Sequence, residues 1–520
     1  MQKIATDIYT FSELRTKGFT YVDKTAILWE LANGSLGKQF FIARPRRFGK
    51  SLAVSTLRAL FEGRRELFAG LAVDSLEWDW ETRYPVLHLD MGSVQVDSEK
   101  ELAARWRTLL SREAERNDIA FRDDPDAATA FENVILDLAA QSQTGQMVLL
   151  VDEYDKPLLG KLGKPEAGLF RDTLKRFYSV IKTLESKQRF SFMTGVSRFS
   201  KVSIFSDLNN LKDLTMNARV ATLFGYTHEE VQACFSQGIH ELAVANKMDD
   251  EGAFAEIVKW YDGYRFHPKA EPVINPVSLG SCLQDREFNN YWSMTATPTF
   301  LLDALRKYPL DFSRIDVDEF RLGAFEPECP EIVTLLFQAG YLTIGGFSQE
   351  GMLRRYTLKF PNQEVESAFL TQLLPVYTGV GSTRSWDAQS AAVRALRMGD
   401  IEKFVSVLKS IFADVPYDLT DRQNEQTWQA ILYVVLRSIG MNVNAEVRTN
   451  SGRIDMVAET PVSVWIIEVK RDKPSTEAIN QIRAKKDYEK YQFSGKTVKL
   501  VGISFSTEKR TVVEHRAEFL

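Results

Sequence analysis

The 520-residue sequence contains few cysteines and histidines, and this scarcity excludes several kinds of site. Its three cysteines, Cys234, Cys282 and Cys329, lie far apart and form no Cys-x-x-Cys pair. We therefore expect neither a disulfide framework nor a zinc knuckle, and this cysteine usage is typical of a reducing compartment. The five histidines are scattered along the chain, which argues against a metal site built on imidazole.

Long apolar runs and an excess of positive charge are also absent. There is no run of about 18 apolar residues, and the N-terminus lacks a signal-peptide core, so we expect a cytoplasmic protein without a membrane span. The net charge of −5 gives no whole-chain sign of nucleic-acid binding, although one face can be basic while the total is not. The length and the 44% hydrophobic content indicate a globular protein of roughly two to four domains.

Residues 1–225 alternate short apolar runs with helical patterns, as the βαβ units of a parallel sheet do. Each apolar run is nearly continuous, which is typical of a strand covered on both faces. The predicted strands are 39–44, 85–90, 147–153 and 190–195. Helices are predicted over 50–63 and 168–186.

The pattern changes twice after this region. Residues 226–364 combine helical segments with loops rich in proline and aromatic residues, and we interpret them as a helical lid or winged-helix-like module. Residues 365–520 begin with helices and continue with strands. The predicted elements of these two regions are a hairpin over 340–344 and 355–360, three strands within 443–472, a helix over 475–492 and a strand over 497–506.

The stretch IARPRRFGKSLAVS, residues 42–55, ends in Gly49-Lys50-Ser51 between a predicted strand and a predicted helix. In a phosphate-binding loop, backbone N–H groups surround the phosphates, the lysine binds β- and γ-oxygens, and the hydroxyl binds Mg²⁺. The helix N-terminus adds partial positive charge. The residues predicted to contact ATP are Arg46, Arg47, Phe48, Gly49, Lys50, Ser51 and Leu52, with Ser51 also binding Mg²⁺.

Arg44 stands where such loops usually begin with glycine. Arginine does not readily adopt φ > 0, and Pro45 favours an extended Arg44, so the loop must turn in another way. Arg46 and Arg47 can add phosphate contacts. From the residues alone, the loop is a functional phosphate site, a non-functional one or only a basic loop.

A second motif, VLLVDEYDKPLL over 148–159, places two acids at the end of a predicted buried strand. We predict that Asp152 orients Mg²⁺ and its water, and that Glu153 polarises an attacking water. The alternative is a strand end with two solvated acids. The phosphate-loop pattern on another buried strand makes this alternative less favourable.

A third buried strand ends in Thr194-Gly195, followed by Ser197 and Arg198. A polar γ-phosphate sensor and a charge-neutralising arginine would suit this position, and we assign Arg198 to the nucleotide site. The alternative is an ordinary exit from strand to loop.

The C-terminal region carries a cluster of two carboxylates and a lysine. Glu468 and Lys470 are two residues apart on one predicted strand, so their side chains face the same way. A hairpin around 459–461 would bring Asp455 close to them. Metal-dependent hydrolysis of a phosphodiester needs clustered carboxylates and a cation that positions water. The alternative is a solvated hairpin in which these residues form ion pairs.

Four motifs, RPRRFGKSL, VDEYDKPL, TGVSRFSKVSIFSDLNNL and WYDGYRF, make the sequence resemble the AAA-ATPase-like family of bacterial proteins. That family typically carries a C-terminal PD-(D/E)XK nuclease-like domain. The resemblance covers essentially the whole chain, and it implies that arginine in place of the first glycine is tolerated. Ala296, where the family usually has glycine, is a small departure.

The C-terminal cluster resembles the PD-(D/E)XK signature. The resemblance implies that Asp455, Glu468 and the Val469 carbonyl hold Mg²⁺ or Mn²⁺. It also implies that Lys470 positions the nucleophilic water. The full catalytic set of this domain would be Glu425, Asp455, Glu468, Lys470 and Gln481.

We therefore predict an α/β protein with a P-loop NTPase parallel sheet in 1–225, the middle module in 226–364 and a restriction-endonuclease-like α/β domain in 365–520. The functional hypothesis is an ATP-binding, ATP-hydrolysing protein coupled to a metal-dependent endonuclease, with DNA preferred over RNA by family analogy. One alternative is a nucleotide-dependent switch or binding module with an inactive nuclease fold. Another is a nucleotide-dependent homo-oligomer in which Arg198 acts as an arginine finger.

Overall fold

The computed structural model describes residues 3–199, 210–292, 299–307, 310, 312, 315–378, 382–413, 432–437, 442–449, 452–459, 462–486, 488–492, 495–506, 508–509 and 511–520. The chain forms two compact units. The first comprises Met1–Tyr291 and Val317–Gln363, and the second comprises Trp292–Asp316 and Glu364–Leu520. No helix within the described ranges combines the length and apolar character needed to cross a membrane.

A parallel sheet forms the centre of the first unit, as predicted, and it consists of the four predicted strands and a short fifth strand with no predicted counterpart. Its strands are β1 (Gln39–Ala43), β2 (Val86–Asp90), β3 (Met147–Asp152), β4 (Gln188–Gly195) and β5 (Lys212–Asp213). Their spatial order is β2-β3-β4-β1-β5. All residues of β1 and β3 are buried, which agrees with their continuous apolar sequence. The carboxyl ends of β1, β3 and β4 therefore lie side by side.

Helices precede, connect and follow the strands of this sheet. They are α1 (Phe11–Lys17), α2 (Thr25–Ala32), α3 (Lys50–Phe61), α4 (Glu99–Arg116), α5 (Ala127–Gln141), α6 (Lys156–Leu159), α7 (Ala167–Thr183), α8 (His228–Ala245), α9 (Asp250–Tyr261) and α10 (Pro276–Asp285). Stacked aromatic rings join α4, α5 and α7, since the Phe177 ring lies 4.0 Å from Trp106 and 4.7 Å from Phe131, centroid to centroid. Such stacking fixes the three helices against each other.

The segment after α10 continues with shorter elements. These are α11 (Thr299–Lys307), β6 (Ile315–Asp318), α12 (Glu319–Gly323), α13 (Ile332–Ala339), β7 (Thr343–Glu350) and β8 (Leu353–Lys359). The antiparallel pairing of β7 with β8 confirms the predicted hairpin. Its first strand runs on to Glu350, well beyond the predicted end at 344.

The second unit is built on a mixed five-stranded sheet in the order β13-β12-β11-β10-β9. Its elements are α14 (Gln363–Thr378), α15 (Ser382–Met398), α16 (Ile401–Ala413), β9 (Asn442–Thr449), β10 (Gly452–Glu459), β11 (Ser463–Arg471), α17 (Ser475–Lys485), β12 (Thr497–Ser506) and β13 (Thr511–Phe519). Among the described strands of this sheet, β11 and β12 pair in parallel and the other neighbours are antiparallel, because α17 forms the crossover from β11 to β12. Residues 432–437 are also helical.

Two details of this unit differ from the sequence prediction. The helix predicted over 475–492 ends at Lys485, because Lys486 adopts a left-handed backbone with φ 53°. Strand β13 has no counterpart among the predicted elements. Its sequence, TVVEHRAEF, is largely polar and mostly solvent-accessible, so it lacks the apolar run by which the other strands were recognised.

Candidate nucleotide and nuclease sites

The phosphate loop lies between β1 and α3, and Lys50 is the first residue of α3. Gly49 precedes it with φ 84°, a left-handed conformation that glycine adopts without a steric penalty. Lys50 is 6% exposed, and its Nζ donates to the carbonyl oxygens of Arg44 at 3.1 Å and Pro45 at 3.0 Å. Burial lowers the pKa of Lys50, although nearby carboxylates, with Asp152 foremost, act in the opposite direction. The ammonium group is thus hydrogen-bonded to the start of the loop and lies near several carboxylates.

Asp152, at the end of β3, lies beside the Ser51 hydroxyl at the start of α3, which acts to lower the pKa of the carboxyl. The two residues predicted to bind Mg²⁺ are therefore in contact. Burial, supported by the charges of Asp90 and Glu153, raises the pKa of Asp152 from 3.8 to about 6, against the effects of Ser51 and Lys50. A carboxylate in this state gains from a nearby cation. Its oxygens and the hydroxyl are ligands of the hard kind that Mg²⁺ prefers, so these residues fit that ion.

Within the described ranges, no group of three or more His, Cys, Asp and Glu side chains comes together as a metal cage. A site with one protein carboxylate and one hydroxyl is nevertheless sufficient for Mg²⁺ bound with nucleotide. That ion commonly takes its remaining ligands from phosphates and water. Ser51 and Asp152 form a site of this kind, which phosphates and water would complete.

Glu153 lies in a tight turn beyond β3, with φ 51°. Its N–H donates to Asp152 Oδ1 at 3.0 Å. A Cβ placed on Gly92 would lie 3.2 Å from Glu153 Oε2 and 3.0 Å from Asp90 Oδ1, so both carboxylates border this glycine. Asp90 pairs in register with Asp152 on the neighbouring parallel strand. Sequence reasoning missed Asp90, but its position at the end of a buried strand, like that of Asp152, was the available signal.

Asp155 is a second residue that the sequence analysis missed. It is fully buried, and its carboxylate accepts hydrogen bonds from the N–H groups of Val196 at 3.2 Å and Ser197 at 2.6 Å. Burial raises the pKa of Asp155, and these two donors oppose that effect. A Cβ on Gly195 would lie only 2.5 Å from Asp155 Oδ1, so glycine is required there. Asp155 thereby fixes the exit of β4 against the turn that carries Asp152 and Glu153.

Arg198 contacts residues outside the phosphate loop. Its guanidinium forms an ion pair with Asp213 through Nε and donates to the Gly323 carbonyl at 3.0 Å through Nη1. The backbone N–H donates to Gln338 Oε1 at 2.7 Å. A role at the γ-phosphate stays a prediction, and it would require the side chain to exchange these partners.

The other predicted nucleotide residues have different environments. Arg46 is exposed, whereas Arg47 donates through Nη1 to the Tyr291 carbonyl at 2.6 Å. Phe48 is buried. A cavity of about 90 Å³ adjoins the loop, and Gly49 and Leu52 are among its lining residues. The rest of the lining includes Thr20, Tyr21, Val22 and Tyr226.

In the second unit, Glu468 on β11 is 1% exposed, and its Oε1 accepts hydrogen bonds from Lys470 and Gln481. Lys470 Nζ donates to Glu468 Oε1 at 3.0 Å, and the Gln481 amide on α17 donates to the same oxygen. A Cβ on Gly502 would lie 2.5 Å from the Ser475 carbonyl, so glycine permits the close approach of α17 to the sheet. The structure thus brings three of the predicted catalytic residues together. The lysine and the amide offset the cost of burying the Glu468 charge, because they supply it with hydrogen-bond donors.

The remaining nuclease residues are placed by the backbone. Asp455 lies on β10 next to Met456, which pairs with Ile467, the neighbour of Glu468. The backbones of Asp455 and Glu468 are therefore at adjacent positions of two paired strands. Val469 follows on β11 and is buried. Glu425 lies outside the described residues, so its predicted role stays a prediction.

The raised pKa of Asp152 leads to a stability prediction for the metal-free protein. The pKa of Asp152 is about 6 in the folded protein and ordinarily 3.8, so ionisation of this carboxyl lowers the free energy of unfolding. The destabilisation is absent below pH 3.8 and grows to its full size as the pH rises through 6. Above pH 6, Asp152→Asn should therefore increase the free energy of unfolding by about 2–3 kcal/mol, which is seen as a higher melting temperature. The increase should shrink at lower pH.

The measurement is thermal unfolding in the presence of a chelator over a series of pH values. Asp172→Asn, at a largely exposed position of α7, is the matched control and should shift nothing. Equal melting temperatures for the wild type and Asp152→Asn at every pH would show that the buried, ionised carboxylate does not destabilise the fold.

Comparison with known proteins adds to this geometry. A family model described as Predicted AAA-ATPase matches residues 5–205, and a model of the PD-(D/E)XK nuclease superfamily matches residues 423–515. The chain is 36% identical over 532 residues to a protein of Azotobacter chroococcum mcd 1 described as "Uncharacterized protein in vnfD 5'region". The alignment covers 100% of this chain and 99% of that protein. The matched ranges contain the phosphate loop, Asp152 and the Glu468 cluster.

Proposed function

Because this chain belongs to the predicted AAA-ATPase-like family and carries a C-terminal PD-(D/E)XK nuclease superfamily domain, we propose that it hydrolyses ATP and cleaves DNA. The two domain families suggest an ATPase combined with a nuclease. The observation that carries the ATP part is the contact of Ser51 with Asp152 beside the buried Lys50. We retain the division into 1–225, 226–364 and 365–520, and a cytoplasmic location, as proposals.

At the first site, the residues have separate tasks. Lys50 transfers its hydrogen bonds from the loop carbonyls to β- and γ-phosphate oxygens. Ser51 and Asp152 would hold Mg²⁺, which when bound offsets the phosphate charge. Glu153, at the edge of the same turn, orients the attacking water and accepts its proton.

The end of β4 offers a further polar group. The Thr194 hydroxyl is fully buried and has no hydrogen-bond partner among the described residues. A buried polar group without a partner is costly, so the position calls for a function. This supports Thr194 as the γ-phosphate sensor at the strand end that Asp155 holds in place.

At the second site, Glu468, the Val469 carbonyl and Asp455 would hold a divalent ion, Mg²⁺ or Mn²⁺, which when bound activates water and stabilises the departing oxygen. Lys470, 3.0 Å from Glu468, positions that water. Gln481 keeps the Glu468 carboxylate oriented by its hydrogen bond. DNA is the proposed substrate.

Binding of ATP tests the first part directly. We expect isothermal titration calorimetry to show ATP binding in Mg²⁺, and Lys50→Ala to weaken it by about 100-fold because the lysine supplies charge-assisted hydrogen bonds to the phosphates. Lys182→Ala, at an exposed position of α7, is the control and should bind like the wild type. Equal affinity in Lys50→Ala would refute the proposed site.

A further inference from the structure

Arg44, the residue in place of the first loop glycine, is turned into the protein and is only 1% exposed. Its Nη1 donates to the carbonyl oxygens of Ala43 and Thr215, both at 2.8 Å. Its Nη2 donates to the Val220 carbonyl at 3.4 Å. One guanidinium therefore joins the end of β1 to the segment that follows β5.

The backbone of Arg44 joins two further parts of the site. Its N–H donates to the Gly195 carbonyl at 3.0 Å, at the end of β4. Its carbonyl oxygen accepts a hydrogen bond from Lys50 Nζ at 3.1 Å. Any displacement of Arg44 would consequently move both the start of the loop and an anchor of the lysine that is proposed to bind phosphate.

Aromatic residues of the WYDGYRF segment fix the loop from its other side. The Arg44 guanidinium lies 4.2 Å from the centroid of the Phe266 ring, within range of a cation–π interaction. The Phe48 ring packs edge-on against Phe266 at 5.4 Å and against Tyr264 at 4.7 Å. Arg44 and Phe48 are therefore both anchored on the Phe266 ring, although they lie at opposite ends of the Arg-Pro-Arg-Arg-Phe segment.

Pro45, the residue after Arg44, packs closely against the backbone of Gly340. A Cβ on Gly340 would lie 2.7 Å from the Pro45 Cβ, and Gly340 has φ 89°. Glycine is thus needed there both for its conformation and for space. The first half of the loop is held by side-chain packing, where other phosphate loops rely on a flexible glycine turn.

We propose that Arg44 is a positioning residue for nucleotide binding. By its carbonyl contacts and its stacking on Phe266, it fixes the loop conformation in which Lys50 and the N–H groups of residues 46–51 face the phosphates. The inference rests on the proposed ATP binding and deepens it, because it makes the WYDGYRF segment part of the phosphate site. Arg44 acts through Lys50 and the loop backbone.

The test is calorimetric titration of the full-length wild type, Arg44→Gly, Arg44→Lys, Phe266→Leu and the double variant Arg44→Lys/Phe266→Leu with ATP and Mg²⁺. Arg44→Gly restores the usual first glycine, yet we expect it to raise the Kd about tenfold or more. Arg44→Lys should also bind more weakly, because an ammonium cannot reproduce the planar, forked set of donors. The double variant should lose less affinity than the sum of the two single losses, since both act through one contact.

Calorimetry separates positioning from partial unfolding. In a variant whose melting temperature shows that it is folded at the temperature of the titration, a positioning role raises the Kd with the number of sites per chain unchanged. Misfolded protein instead lowers the number of sites with the Kd unchanged. Wild-type affinity in Arg44→Gly, or a reduced site number at wild-type Kd in Arg44→Lys, overturns the inference. Absence of ATP binding by the wild type would instead refute the proposed function itself, so the two failures are distinguishable.

Discussion

Replacing Glu153 with glutamine is expected to lower ATP turnover by about 100-fold or more while ATP remains bound. Glutamine keeps the size of the side chain next to Gly92 but cannot accept a proton from the attacking water. The contacts of Lys50, Ser51 and Asp152 do not pass through the Glu153 side chain, so the affinity for ATP should persist. Phosphate release and calorimetric binding, measured on the same preparation, check both halves of this expectation.

Glu115→Gln is the control for this experiment, because Glu115 is an exposed acid on α4, away from the strand ends. Its turnover should equal that of the wild type. Unchanged turnover in Glu153→Gln would remove this residue from the mechanism. Loss of ATP binding in the variant would show that Glu153 acts in binding and would assign it a different role.

Lys470→Met is the second large expected loss, a decrease in DNA cleavage of about 100-fold or more. Methionine retains the length and much of the apolar stem, but it cannot reproduce the hydrogen bond to Glu468 or position a water by charge. Cleavage of plasmid DNA in Mg²⁺ or Mn²⁺, followed on agarose gels, measures the effect.

Lys473→Met serves as the matched control, because Lys473 lies three residues further on and pairs with Glu477 at an exposed position. It should cleave like the wild type. A comparable loss in both variants would point to a general decrease in DNA affinity, since removal of any phosphate-binding lysine weakens binding uniformly. That outcome would argue against a specific role of Lys470 in water positioning.

The strands and the first site were largely predictable because both depend on short-range patterns. A buried parallel strand has a continuous apolar sequence, and the first polar residue after the apolar run indicates its carboxyl end, as at Asp152. The contact of Ser51 with Asp152 then follows from the fact that β1 and β3 both end at one edge of the sheet. The hairpin β7–β8 and the strands of the second unit other than β13 could be recognised from similar signals.

What the sequence did not reveal depends on partners that are distant along the chain. Asp155 holds the end of β4 through the N–H groups of Val196 and Ser197, and no local pattern connects them. The inward direction of Arg44 depends on Thr215 and Phe266, whose positions follow from packing of the whole unit. Periodicity places a residue on an element, but it does not show which way an arginine in a loop will turn.

The most direct test of the central claim is cleavage of supercoiled plasmid DNA by the full-length protein, with and without ATP, in Mg²⁺ or Mn²⁺. The wild type and Glu468→Gln should be compared, since glutamine preserves the shape of the buried side chain but removes the charge that would hold the metal. The account predicts cleavage by the wild type and none by Glu468→Gln. Equal cleavage by both proteins, or no cleavage by the wild type while it still binds ATP, would contradict it, and the second result would favour a nucleotide-dependent switch with an inactive nuclease fold.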